Sequence, residues 1–162
     1  MAMNTLEDLL IHELKDLYDA EHQVKKALPK MAKAASSDEL RARFEEHLTQ
    51  TEAQIERLQA VFAALGEKPS RETCKGMKGL LEEGDKVLEE EMSDTVRDAA
   101  LIAAAQRVEH YEIAGYGTAR TFAFLIGNAE AAQMLQTTLD EEEHTDKTLT
   151  QLANDINQQA AA

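Results

Sequence analysis

The sequence predicts an all-α protein built as a four-helix bundle with one long crossover, and three observations predict it. Alanine, leucine, glutamate, lysine and glutamine, all strong helix formers, dominate the 162 residues. Only two prolines and seven glycines interrupt them. Four long segments repeat apolar residues at helical spacing, and they group as two tight hairpins joined by a long connector.

The first segment covers about residues 4–35, with Leu10, Leu14, Leu17, Val24, Leu28 and Met31 on one stripe and Pro29 inside it as a candidate kink. Ser36-Ser37-Asp38 supplies a turn and an N-cap for the second, residues 38–65, whose stripe is Leu40, Phe44, Leu48, Ile55, Leu58 and Phe62. Gly66 stops it and Pro69 follows. A shorter helix over residues 72–92 carries Met77, Leu80, Leu81, Val87 and Leu88. Ser93-Asp94 caps the next helix, residues 94–126, and Gly127-Asn128 turns the chain into the last, residues 129–157, with a frayed tail beyond. No composition shift marks a domain boundary, so residues 1–162 read as a single domain. Two hairpins with one long connection between them give the ferritin-like topology; an up-down-up-down bundle wants a short middle loop.

The net charge of −14 excludes some partners. No basic cluster is available to neutralise nucleic-acid phosphates, and an anionic membrane surface repels such a chain. The most apolar run, residues 99–105, falls far short of the roughly 20 residues a membrane helix needs. No secretory signal opens the chain, so a cytoplasmic location is expected. Cys74 is the single cysteine, which rules out an intrachain disulfide and leaves it without a zinc-cluster partner. It is expected to be a reduced bystander.

Several acids fall on the wrong face for solvation. On the 94–126 helix, Glu112 lies inside the apolar stripe and Glu109 on its flank. On the 129–157 helix, Glu142 and Asp146 fall within the stripe. Glu21 sits between Leu17 and Val24, facing inward. On the second helix the stripe passes between His47 and Glu52. Height is an independent test, because paired helices rise about 1.5 Å per residue from their shared turn. Glu21 and Glu52 are each 15 residues from the first turn, while Glu112 and Glu142 stand 15 and 14 from the second. Glu109 and Asp146 are both 18 away. His47 is only ten residues from its turn, more than a helical turn from the level of Glu21.

Buried carboxylates without partners are very costly, and no inward lysine or arginine is available at these positions. Metal cations are the economical answer, and an oxygen-rich set suits iron or manganese more than zinc. Facing helices of a bundle are where sites for two such ions are built.

The segments LKDLYDAEHQVKKALPKMAKAA, EEHLTQTEAQIERL, AALIAAAQRVEHYEIAGYGTAR and TLDEEEHTD together resemble the YciE/YciF family of bacterial ferritin-like stress proteins, over about residues 4–153. VEHYEIAGYG is the most specific of these stretches. That family is similar in fold to rubrerythrin and manganese catalase. The resemblance implies a dinuclear centre of two divalent ions, dimerisation and a role in stress response, and it leaves the reaction and the electron donor open. The ferritin-like pattern is a lone Glu followed by Glu-x-x-His on the next helix, given twice. Glu21 and Glu112 take the lone-Glu places, and Glu52 and Glu142 the Glu of each second motif. Ile55 and Thr145 stand where the histidines belong; Asp146 and His47 are the candidate replacements, and Glu109 a further oxygen donor. Glu141-Glu142-Glu143-His144 contains a literal Glu-x-x-His, yet His144 lies opposite the leucine stripe and is expected in solvent. The expected function is a metal-binding stress-response protein whose di-iron or di-manganese centre handles oxygen or peroxide. The alternative is a non-catalytic helical protein with a degenerate site, acting through dimerisation or a partner.

Overall fold

Five helices follow one another in the computed structural model, which describes residues 3–162; Met1 and Ala2 lie outside the described residues. Helix α1 spans Leu6–Ala34, α2 Asp38–Ala64, α3 Lys75–Glu89, α4 Asp94–Leu125 and α5 Ala129–Ala161. No strand occurs among the described residues. Helix α1 opens on a reciprocal cap: the Asp8 amide donates to the Thr5 hydroxyl, and the Thr5 amide donates to the Asp8 carboxylate. It runs through Pro29, whose ring lies on the exposed face. Ser37 and Asn128 cap α2 and α5 through their side chains, whereas the Ser93 side chain makes no cap hydrogen bond. Gly66 and Gly127 adopt φ of 72° and 82°, the left-handed region that ends a helix at little cost for glycine.

Three boundaries differ from the sequence expectation by two residues or more. Helix α1 starts at Leu6, because Thr5 supplies the cap. Helix α3 is shorter than expected: Cys74 is its N-cap, and residues 70–74 run outside any helix. Asp19 holds this stretch down, accepting from the Cys74 amide at 2.8 Å and from Arg71 Nε at 2.9 Å. At the other end α5 does not fray at 157 but continues to Ala161, since Gln158-Gln159-Ala160-Ala161 contains only helix-compatible residues and no breaker.

The two hairpins, α1–α2 and α4–α5, pack so that α1 lies on α4 and α2 on α5, with α3 laid over α1 and α4. Asn128 Nδ2 donates to the Ala64 carbonyl, which puts the α4–α5 turn at the end where α2 finishes. Asp98 accepts from the amides of Ser36 and Ser37, both at 2.8 Å, which puts the start of α4 beside the α1–α2 turn. The connector carrying α3 therefore travels the full length of the bundle, as the ferritin-like topology requires.

The core is divided. One apolar cluster near the α1–α2 turn includes Val24, Leu28, Leu40, Phe44, Leu101 and Leu149. A second, toward the α4–α5 turn, includes Leu10, Leu14, Phe62, Ala123 and Leu135. Between them lies a buried polar layer containing Glu21, His47, Thr51, Gln54, Glu109, Glu112 and Glu142.

Candidate metal centre

Each helix of the bundle delivers side chains to the polar layer because its inward positions recur at alternating steps of three and four residues. Helix α1 brings Glu21 between Leu17 and Val24. Helix α4 brings Glu109 and Glu112 between Ala105 and Tyr116. Helix α5 brings Glu142 between Leu139 and Leu149. On α2 the inward row reads Leu40, Phe44, His47, Thr51, Gln54, Leu58 and Val61.

One ligand atom from each of His47, Glu109, Glu112 and Glu142 lies within 4.8 Å of the other three, and all four residues are buried. Glu21 is also fully buried, and its charge is felt by both Glu109 and Glu112. Both carboxylate oxygens of Glu109, Glu112 and Glu142, together with Glu21 Oε2 and His47 Nε2, have no hydrogen-bond partner among the described residues. His47 Nε2 and Glu109 Oε1 stand 3.2 Å apart, but neither makes a well-directed hydrogen bond. The one strong hydrogen bond in the layer joins the Tyr116 hydroxyl to Glu21 Oε1.

The electrostatics reflect this crowding. Burial pushes the Glu21, Glu109 and Glu112 carboxyls well above the ordinary carboxylate range, and the charges of neighbouring glutamates push the same way. The Tyr116 hydrogen bond partly opposes the rise at Glu21. Burial lowers His47 against the pull of Glu142, so its imidazole is neutral and can offer a lone pair. Burial and the neighbouring Glu21 and Glu112 charges raise the Tyr116 phenol, which remains a donor.

Of the residues expected from the sequence, the structure brings Glu21, Glu109, Glu112, Glu142 and His47 into the layer. Glu52 is not among them: its side chain is half exposed and pairs with Lys25 Nζ at 3.2 Å. The reason is the rotation of α2, whose inward row runs through His47 and Thr51. Asp146 stands at the edge of the layer, where it accepts from Gln106 Nε2 and lies 3.2 Å from His110 Nε2. His144 is exposed, as expected. Cys74 is more than a bystander: it is fully buried, caps α3 and shares a hydrogen-bonded cluster with Tyr111 and Asp16. Thr51 and Gln54 were missed, and Thr51 Oγ1 and Gln54 Oε1 are also buried without partners. Arg57 and Glu141, which meet in a two-pronged pair at 2.9 Å with Gln54 Nε2 joining, were missed too.

A helical bundle with one long crossover and a carboxylate–histidine cluster at mid-height is a ferritin-like protein with a candidate metal site. Known proteins agree with this class. The chain belongs to the family described as Domain of unknown function (DUF892), whose profile matches residues 5–162. It is 49% identical to Protein YciF of Escherichia coli strain K12 over 162 residues, covering 99% of this chain and 98% of that protein. The crystal structure of the E. coli stress protein YciF superimposes with a TM-score of 0.93 at 48% identity, over 96% of this chain and 99% of that one. YcfI of Rhodopseudomonas palustris gives 0.89 at 46% identity, over 91% and 94%. A ferritin-like diiron-carboxylate protein from Bacillus anthracis shares the fold, with a TM-score of 0.72 at 16% identity over 93% and 99%. The expected YciF kinship and ferritin-like fold are thus borne out. No helix among the described residues is long and apolar enough to cross a membrane.

Proposed function

We propose that this protein is a metal-binding stress protein whose buried cluster holds two divalent ions of iron or manganese and acts on dioxygen or peroxide. The observation that carries the reading is the set of unpartnered, fully buried oxygens on Glu109, Glu112 and Glu142, with Glu21 Oε2 and His47 Nε2 beside them. Desolvated acceptors of this kind are costly unless something positive meets them. The donor set fits the ions: four carboxylates carry four negative charges when ionised, and two divalent cations balance them. Oxygen donors with a single imidazole suit iron or manganese.

Bound ions of this kind supply Lewis acidity and redox equivalents for peroxide or oxygen chemistry. The protein's own contribution is placement. Glu109, Glu112, Glu142 and His47 are close enough to converge on one ion, and Glu21 adds the carboxylate that a second requires. Tyr116 fixes the orientation of Glu21. The two apolar clusters above and below keep bulk water from the layer.

One observation favours a second reading, in which the protein acts without turnover through dimerisation or a partner. Helix α2 presents Thr51 and Gln54, three residues apart and buried, where a bundle of this kind carries Glu-x-x-His. The site then has one helix that offers no carboxylate.

Elemental analysis of protein purified without chelator tests the proposal, alongside a Glu112→Ala/Glu142→Ala variant. The expected result is about two equivalents of iron or manganese per chain, lost in the variant. Well-folded wild-type protein that refuses added Fe(II) and Mn(II) would count against it and favour the second reading.

A further inference from the structure

We propose that divalent cations reach the buried cluster through a cleft between α2 and α5, with His144 as the first protein ligand they meet. The inference rests on the reading of the cluster as a metal site. The cleft has His47, Phe44 and Leu149 on its buried side, and His144, Glu46, Gln50, Thr145 and Thr148 on its walls. His144 and Glu46 are exposed, Gln50, Thr145 and Thr148 are half-buried, and His47 is 4% exposed. Alongside Phe44 and Leu149, polar side chains therefore reach from the exposed His144 and Glu46 down to His47 of the cluster. The space between them is about 30 Å³, enough for water-sized species and too small for an ion with its full hydration shell.

A cation entering so narrow a passage must exchange water ligands for protein ligands as it goes. The walls offer suitable ones: the His144 imidazole, the Gln50 amide oxygen and the hydroxyls of Thr145 and Thr148. The Thr145 hydroxyl donates to Gln50 Oε1 at 3.1 Å, joining α5 to α2 across the cleft. This is a neutral bond, which a cation displaces by taking the Gln50 oxygen for itself. Arg43 is the one cation on the walls, and Glu46 pairs with it at 3.0 Å.

The cluster has a second neighbouring cavity, which offers an ion far fewer donors. It lies under α3 against His47 and Glu109, measures about 10 Å³, and is otherwise lined by Val24, Leu28, Leu81 and similar apolar side chains. Such walls give an ion nothing in exchange for its water. The cleft also gives a role to the Glu-x-x-His stretch at 141–144, in which Glu142 faces the cluster and His144 faces the route toward it.

The test is the rate at which chelator-stripped, full-length protein takes up Co(II) and Mn(II), followed by stopped-flow absorbance and by loss of the free Mn(II) resonance signal. Thr148→Phe narrows the cleft and His144→Ala removes its outer ligand; neither residue belongs to the cluster. The expected result is uptake slowed about tenfold or more in both variants, with final metal content equal to wild type. Wild-type rates in both variants would overturn the route while leaving the metal site standing. Wild-type protein that takes up neither ion overturns route and site together. Should Thr148→Phe fail to fold, His144→Ala, a surface truncation, decides by the same two readings.

Discussion

Tyr116 donates its phenolic hydrogen to Glu21 Oε1 at 2.5 Å, and neither side chain is exposed to solvent. The bond joins α4 to α1 across the layer that holds the candidate ligands, and among the described residues it is the one well-formed hydrogen bond any of the cluster glutamates makes. Tyr116→Phe removes it while leaving the ring to fill its place. A loss of about 1–3 kcal/mol is expected in urea denaturation, because a buried acceptor loses a strong donor. Metal affinity is expected to fall as well, since Glu21 is no longer held in one orientation.

The metal-free protein should have an unusual response to pH. Burial and neighbouring glutamates hold the carboxyls of Glu21, Glu109 and Glu112 well above the ordinary carboxylate range in the folded chain. A group whose folded pKa is raised contributes stability that is fully present below the unfolded value and is lost as pH climbs through the folded one. Chelator-treated protein should therefore melt at a lower temperature at pH 8 than at pH 5. Asp19 works the other way: burial raises its pKa, but hydrogen bonds from Cys74, Gln23 and Arg71 outweigh this and leave it below 3.8. Its contribution is lost only in stronger acid. A flat or rising melting temperature between pH 5 and pH 8 would count against the buried, protonated glutamates.

The same reasoning gives Glu112→Gln opposite effects on stability and binding. Without metal, the variant is expected to be more stable than wild type at neutral pH by on the order of 1 kcal/mol, since a glutamine needs no added proton to be buried beside the other carboxyls. With metal, wild type should gain about 2.7 kcal/mol when the free ion stands at a hundred times its dissociation constant, and the variant much less. Paired melts with chelator and with Mn(II) measure both effects.

Glu52 and His47 separate surface from site. Glu52→Gln is expected to leave metal content unchanged and stability within about 0.5 kcal/mol, because the exposed pair with Lys25 contributes little. His47→Ala is expected to lower metal affinity by about tenfold or more, as it removes the only imidazole of the cluster. Equilibrium titration of the two variants makes the comparison.

Asp19→Ala tests the anchoring of the crossover. Asp19 receives Gln23 Nε2, Arg71 and the Cys74 amide, so its loss leaves the buried Cys74 amide without an acceptor. A cost of about 2–4 kcal/mol is expected, with amide exchange accelerating first across residues 70–75.

The helices were legible because their apolar residues recur at helical spacing and their turns carry serine, glycine and asparagine. The site was legible wherever a glutamate interrupts an otherwise apolar row, as Glu21, Glu112 and Glu142 do. Helix α2 misled because its inward row is polar for three consecutive steps. Reading only its apolar residues let the stripe drift toward Glu52. The signal that finds His47, Thr51 and Gln54 is the three-four alternation itself, carried from Leu40 and Phe44 through to Leu58 and Val61. Asp146 fell within its stripe on paper, but Gln106 and His110 hold it at the rim of the layer. The role of Cys74 was not legible, because Asp16, Asp19 and Tyr111 come to it from distant parts of the chain.

Asp98 sets an order of events for the newly made chain. The amides of Ser36 and Ser37 bond to a carboxylate 62 and 61 residues further on, so the corner of the first hairpin is finished by a residue made much later. Without α4, the first hairpin has no Asp98 to accept from those two amides, and Glu21 has no Tyr116 to donate to it. A chain that ends before α4 is therefore expected to leave the corner of its first hairpin open to water.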